Sequence, residues 1–316
     1  MCGIAGMIGF TSERRATLGQ QLVQVIEPLE GRGPDSCGVG LYTAAVAPDQ
    51  WKLMLQGDVT LAWSRVADWL ATQVPLHQWD GVSEGCYRAV IGIPDRPADA
   101  FKHALRQAFP GLHIPSAGRS LEIYKEVGSA SQLDRRVNLS QRPASHGLAH
   151  TRMATESVVN TDHAHPFSAG LDLAIVHNGQ ISNYHKLKYA LERRGVVLET
   201  ENDSETIAHY LHLQLTLGFS LEAALAQLLK DFDGTYTILV ATSEKLALVR
   251  DRYAAKPAVV YEKPDQVVIA SEYHCLTHLP SFDRGATLIE PDAAEILVWS
   301  VTTGRPAALA LSPASV

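Results

Sequence analysis

The first ten residues, MCGIAGMIGF, constrain this chain more than any other stretch. They read as a strand over 2–10 in which almost every side chain is apolar or absent, so both faces must be covered by other parts of the protein. The chain therefore starts inside its own core. Removal of Met1 leaves Cys2 with a thiol and a free α-amino group at one chain end, a nucleophile and a base on a single residue. Thiolate is strongly nucleophilic and an α-amino group has an unperturbed pKa of roughly 7.7–8.0, so proton transfer near neutrality needs no distant histidine. Cysteine is small enough at position 2 for methionine removal, and Gly3 and Gly6 allow close approach of backbone and substrate.

Composition narrows the partners. A chain of 316 residues, 46% hydrophobic, can bury one large core or two modest ones. Its net charge of −7, with no Lys/Arg run, argues against a nucleic-acid or anionic-membrane binder. No apolar run reaches the length of a membrane span and the N-terminus has no secretory pattern, which sets the expectation of a cytoplasmic chain. Cys2, Cys37, Cys86 and Cys275 lie far apart without a CxxC pair, so neither a disulfide framework nor a thiolate zinc site is expected. The last three are expected to be buried thiols.

Along the chain, 13–29 repeats apolar residues at helical period with Ser12 as N-cap, then breaks at EGRGPDSCG, a loop expected to fix Arg32. From about 47 to 142 the pattern changes to a small α/β insert, with helices at 60–72 and 98–109 and strands at 87–93 and 120–127. No motif in it points to chemistry, and Trp51, Trp63, Trp69 and Trp79 read as core, or as a docking surface. SHGLAHTRMAT, NTDHAHPF and LDLAIVHNGQI follow, apolar runs that each end in a polar cluster, where sites collect. Asn183 is placed to cap a helix over 184–194 closed by Gly195, and Asp203 and Ser204 open a second, where a carboxylate suits the helix dipole. A third helix spans 221–232. TYTILVATS, KLALVRD, AVVYEK and QVVIASE then read as an antiparallel meander, with further strands over 285–311.

Six of these blocks, CGIAG, RGPDSCG, HTRMAT, AHPF, VHNGQISN and NDSE, occur in this order over 2–271. Together they resemble the class II glutamine amidotransferase domains of the N-terminal-nucleophile hydrolase superfamily. The resemblance implies an α+β fold, a four-layer αββα sandwich of two antiparallel sheets, filling 2–316 around the insert at 47–142. It implies hydrolysis of the glutamine side-chain amide to glutamate and ammonia without a cofactor or metal. Cys2 is then the nucleophile that forms a thioester, and Asn178 with the Gly179 N–H forms the oxyanion hole. Arg152 clamps the substrate α-carboxylate and Asp203 the α-ammonium, while Arg32 and Thr155 flank the site. Taken singly, Arg152 or Asp203 reads as a surface ion pair, and Asn178-Gly179 as a hairpin turn.

The rival constellation is His150, His163, His165 and His177, whose HxH spacing suits a transition metal and a metallohydrolase. Against it, no carboxylate or cysteine stands at ligand spacing in one element. Some members of the resembled family carry His where this chain has Glu156, and many continue into an ammonia-consuming domain. Here no such segment is recognisable, so the expected organisation is a separate glutaminase subunit similar to those of glutamate-synthase-like or N-methylglutamate-synthase-like complexes. That makes it a hetero-oligomer in which an ammonia-accepting synthase subunit sits on another chain. Two other readings keep the pocket: an amidohydrolase of a different amide, and a non-catalytic glutamine-sensing subunit.

Overall fold

A computed structural model describes residues 2–154, 158–286 and 288–304. The opening strand, Gly3–Gly9, is buried throughout. It pairs with Gln266–Ala270 on one side and His146–Arg152 on the other, both antiparallel. Around this centre a seven-stranded sheet runs in the order Leu288–Ile289, Val259–Lys263, Gln266–Ala270, Gly3–Gly9, His146–Arg152, Ser36–Tyr42, Leu121–Val127. A second sheet has the order Ile296–Ser300, Lys245–Arg250, Gly234–Ala241, Ala174–Ile181, Phe167–Ser168.

Three apolar clusters show why these sheets stack. Ile4, Ile8, Leu148 and Ile269 of the first sheet meet Val176, Leu239, Leu248 and Trp299 of the second. The opposite face of the first sheet, with Ala5, Met7, Val39 and Val268, packs under helices Leu18–Ile26 and Ala130–Val137. The outer face of the second, with Ile175, Ile238, Val240 and Val249, packs under Tyr184–Glu192, Asp203–Thr216 and Leu221–Asp231. These are the four layers, αββα, that the resemblance implied. Each sheet is covered on both faces, as unbroken apolar strands require. Tyr42 ties the layers, its hydroxyl donating to the Ala241 carbonyl at 2.6 Å.

Within the stretch expected as an insert, Gln50–Gln56, Leu76–Ser83, Cys86–Gly92 and His113–Gly118 form a third, four-stranded sheet. It is covered by Trp63–Gln73 and Ala98–Ala108 around its own core of Trp51, Leu53, Trp63, Leu70 and Phe101, against which Trp69 and Trp79 also pack. Leu121–Val127, read as part of the insert, pairs instead along Ser36–Tyr42 at the edge of the first sheet. Cys37, Cys86 and Cys275 are buried, unpaired thiols.

Three local expectations are corrected. The helix over 13–29 is split at Thr17 into Ser12–Ala16 and Leu18–Ile26, and its cap is Thr11, whose hydroxyl accepts from the Arg14 amide. Asn183 precedes Tyr184–Glu192 without a capping bond, because its side-chain amide is spent bridging the Asp231 carbonyl and the Asp233 amide. The meander is two hairpins in different sheets: Gly234–Ala241 and Lys245–Arg250 lie in the second, Val259–Lys263 and Gln266–Ala270 in the first. Hairpin pairing is local, but membership of a sheet is decided by partners far along the chain. Among the described residues no helix is long and apolar enough to cross a membrane.

Candidate active site

Strand register assembles the centre of the site. Gly3 lies opposite Thr151 and Ile4 opposite His150. Cys2 precedes the strand at this end of the pair, where Arg152 is the last residue of the partner strand. Gly3 is required here by the neighbouring chain rather than by a substrate, since a Cβ on it would stand 2.6 Å from Leu29 Cβ and 2.7 Å from Thr151 Oγ1. Cys2 itself is half-buried, its Sγ 3.9 Å from the Met153 carbonyl oxygen.

Two side chains from distant elements converge on the Cys2 carbonyl oxygen. Arg32 Nε donates to it at 3.1 Å and Asn178 Nδ2 at 3.0 Å. Arg32 comes from the loop after the first helical layer and Asn178 from the second sheet, so the Cys2 main chain is gripped from both sides. Asn178 and Gly179 are not a hairpin turn; they lie inside strand Ala174–Ile181, opposite Thr237 and Tyr236. Gly179 has φ +145°, and a Cβ there would come within 2.0 Å of the Thr235 carbonyl oxygen. Only glycine fits that backbone.

Arg152 is buried, with Nη1 3.3 Å from the Val158 carbonyl oxygen. Burial pulls its guanidinium below the ordinary value, while charge on Cys2 and Asp35 acts the other way. Asp35 also organises the backbone here: its amide donates to the Arg152 carbonyl at 3.1 Å, and its carboxylate accepts from the Ala154 amide at 2.7 Å. Thr155 lies outside the described residues.

Asp203 opens its helix as expected, and Asn202 caps it through the Ser204 amide at 3.0 Å. The Asp203 carboxylate accepts from the Ile181 amide at 3.1 Å, which fastens it to the strand that carries Asn178. Burial raises its pKa, but nearby His177 and the hydrogen bonds from His177, the Ile181 amide and Ser204 outweigh that, so it is held below the usual carboxylate range.

The four histidines do not converge on a point. His150 and His165 stack with centroids 3.9 Å apart. His150 Nε2 stands 3.1 Å from the His177 carbonyl oxygen, and His165 Nδ1 accepts from the His177 amide at 3.3 Å. Ser204 Oγ is the hub, 3.0 Å from His177 Nδ1 and 3.2 Å from His165 Nε2. His163 bonds to Asn160 Oδ1 at 2.7 Å instead. Among the described residues no group of three or more His, Cys, Asp or Glu is arranged to hold a metal ion. Burial drives His150 down to about 3 and His165 well below its ordinary value, so both are uncharged rings stacked on each other against the His177 backbone.

The geometry thus joins Cys2, Arg32 and Asn178 by direct contact, sets Arg152 on the adjacent strand, and ties Asp203 to the strand of Asn178. Sequence reading assigned no role to Asp35, Ser204 or Glu272. The first two sit inside motifs, RGPDS and NDSE, where a signal was present. Glu272 follows QVVIAS, and nothing local marks its pairing with Arg32.

A family model described as a glutamine amidotransferase domain matches residues 150–278. The glutamine amidotransferase-like protein GlxB of Rhizobium meliloti (strain 1021) is 37% identical over 302 residues, 95% of this chain and 98% of that protein. The chain is a class II glutamine amidotransferase. A putative glutamine amidotransferase of Methanothermobacter thermautotrophicus is 31% identical over 281 residues, covering 86% of this class II amidotransferase and 92% of its relative. The solved structure of the glutamine phosphoribosylpyrophosphate amidotransferase from B. subtilis superimposes with a TM-score of 0.59 at 19% identity, over 95% of this chain and 47% of that one. That likeness concerns the fold.

Proposed function

We propose that this amidotransferase hydrolyses the side-chain amide of glutamine through Cys2 and passes the ammonia to a synthase on another polypeptide. The observation that carries the reading is the double grip on Cys2 by Arg32 and Asn178 at the end of the central strand. Once Met1 is gone, the α-amino group takes the thiol proton and Sγ attacks the carboxamide carbon. The carbonyl oxygen becomes an oxyanion, to which the Gly179 N–H and the second N–H of the Asn178 amide are offered. Collapse breaks the C–N bond, the α-ammonium returns its proton to the leaving nitrogen, and ammonia departs from a Cys2 thioester. Water, deprotonated by the same amine, then cleaves the C–S bond to give glutamate and the free thiol.

A zwitterionic substrate needs one fixed cation and one fixed anion. Arg152 offers a planar fork to the α-carboxylate, and Asp203, kept ionised by its surroundings, accepts from the α-ammonium. Arg32 flanks the pocket from its loop. Delivery in trans is supported by two relatives that this chain matches over 98% and 92% of their own lengths. Ammonia free in neutral water is mostly protonated and unreactive, so tight docking of the acceptor follows, with slow glutaminase turnover alone and faster turnover in the complex.

The test is glutamate release from glutamine by protein whose loss of Met1 is established by intact mass, alone and with a co-purified partner, beside Cys2→Ala. Activity that requires Cys2 supports the reading. Its absence from processed protein in the complex overturns it, and equal turnover with and without the partner overturns the coupling.

A further inference from the structure

Where the third sheet meets the edge of the first, a cavity of about 290 Å³ is lined by Thr43, Lys52, Gln78, Arg88, Glu122 and Arg142, among others. Its floor is a buried ion pair, with Lys52 Nζ 2.9 Å from Glu122 Oε1 and the two side chains 4% and 1% exposed. Thr43 Oγ1 and the Tyr124 hydroxyl donate to the same carboxylate at 2.9 and 2.5 Å. Glu122 is therefore already satisfied by short bonds.

Two guanidiniums nevertheless face it from other directions. Arg88 Nη1 and Arg142 Nη1 each stand 3.6 Å from its oxygens, beyond hydrogen-bond length. Arg88 is anchored on Asp80 through Nε and Nη2. Arg142 is anchored through Nε on the Val137 carbonyl and lies over the Tyr124 ring. Both forks are thus held in place with N–H donors left over, at the wall of a space large enough for a small metabolite. Three cations there face the carboxylates of Glu122 and Asp80, a local positive excess in a chain of net charge −7.

We propose that this cavity binds a small molecule through an oxyanion, a carboxylate or phosphate, paired with Arg88 and Arg142. A preorganised guanidinium fork matches either group, and a volume near roughly 300 Å³ is at the lower end of small-molecule sites. Lys52, Gln78 and Arg88 belong to the third sheet, while Thr43, Glu122 and Arg142 flank or belong to the first. An occupant would therefore link the insert to the main sandwich, giving the insert a ligand-dependent role that does not rest on the glutaminase reading.

Calorimetric titration of the full chain with inorganic phosphate and, separately, with malonate at constant ionic strength tests this. The expected result is saturable binding of at least one anion, weakened tenfold or more in both Arg88→Gln and Arg142→Gln, with chloride giving none. Phosphate alone binding assigns a phosphorylated ligand and malonate alone a carboxylate. Arg88 is on the exposed side of the cavity, so its variant carries the test if Arg142→Gln does not fold. Binding of neither anion, or equal binding by wild type and folded variants, overturns the proposal.

Discussion

The guanidinium of Arg32 is ion-paired with the carboxylate of Glu272, 240 residues further along the chain, while its Nε holds the Cys2 carbonyl oxygen. The second Glu272 oxygen stands 3.0 Å from His274 Nδ1. Glu272 therefore fixes the arginine that holds Cys2, which under the proposed mechanism makes it a positioning residue. In Glu272→Gln the pair loses its charge, costing about 1 kcal/mol at this partly exposed position, or roughly five-fold in kcat. KM for glutamine should change little. Steady-state kinetics check this, and an unchanged kcat shows that the contact does not serve the nucleophile.

Arg152 and Asp203 are assigned to substrate binding rather than chemistry. Arg152→Lys keeps the charge and loses the planar fork, so KM for glutamine should rise about ten-fold or more with kcat within a few-fold. Asp203→Asn should act the same way. If either variant lowers kcat at unchanged KM, the zwitterion clamp is wrong and another amide substrate gains.

Gly179→Ala places a Cβ in a backbone conformation that L-residues avoid and against the Thr235 carbonyl. Left-handed strain costs about 1–3 kcal/mol, and the overlap adds to it. Urea unfolding should show a loss of about 3 kcal/mol, with glutaminase activity lost as the strand shifts. A variant as stable as wild type contradicts the strand geometry.

Acid should destabilise the protein below neutrality. Burial pushes His146 and His150 down to about 4 and about 3, against their hydrogen bonds to the Thr242 and His177 carbonyls. The unfolded chain protonates these rings near 6.5 and the folded chain does not, so stability is complete above 6.5 and falls as pH drops toward 4 and 3. Each ring contributes a slope of about 1.4 kcal/mol per pH unit in that window. The Glu205 carboxyl, raised by burial, opposes them in part. The melting temperature should fall steadily from pH 7 to pH 5, and a flat or rising profile contradicts the burial of these rings.

Much of this was legible in the sequence because it is written in short range. The apolar opening strand, the helix of 203–216 with its acidic first turn, and the six ordered motifs are all local. What local pattern misjudged were alternatives of equal local quality. Asn178-Gly179 has the composition of a turn but forms a strand, because Gly234–Ala241 pairs alongside it and Gly179 accommodates a φ of +145° within the ladder. Asn183 has the chemistry of a cap but is claimed by the 231–233 loop. The four hairpin strands after 233 alternate alike, and nothing in them says which sheet each joins.

The sequence alone determined that the apolar stretch after Cys2 is a buried strand, and that Arg152 and Asp203 lie at a strand end and a helix start. These follow from hydrophobic period, turn chemistry and residue type, which act over a few positions. Only the tertiary structure decided that Arg32 reaches Glu272, that Asn178 meets Cys2 across two sheets, and that three histidines are spent on Ser204 and backbone groups. Such contacts depend on which of many compatible surfaces bury one another, a choice made by the packing of the whole chain and not by any segment of it.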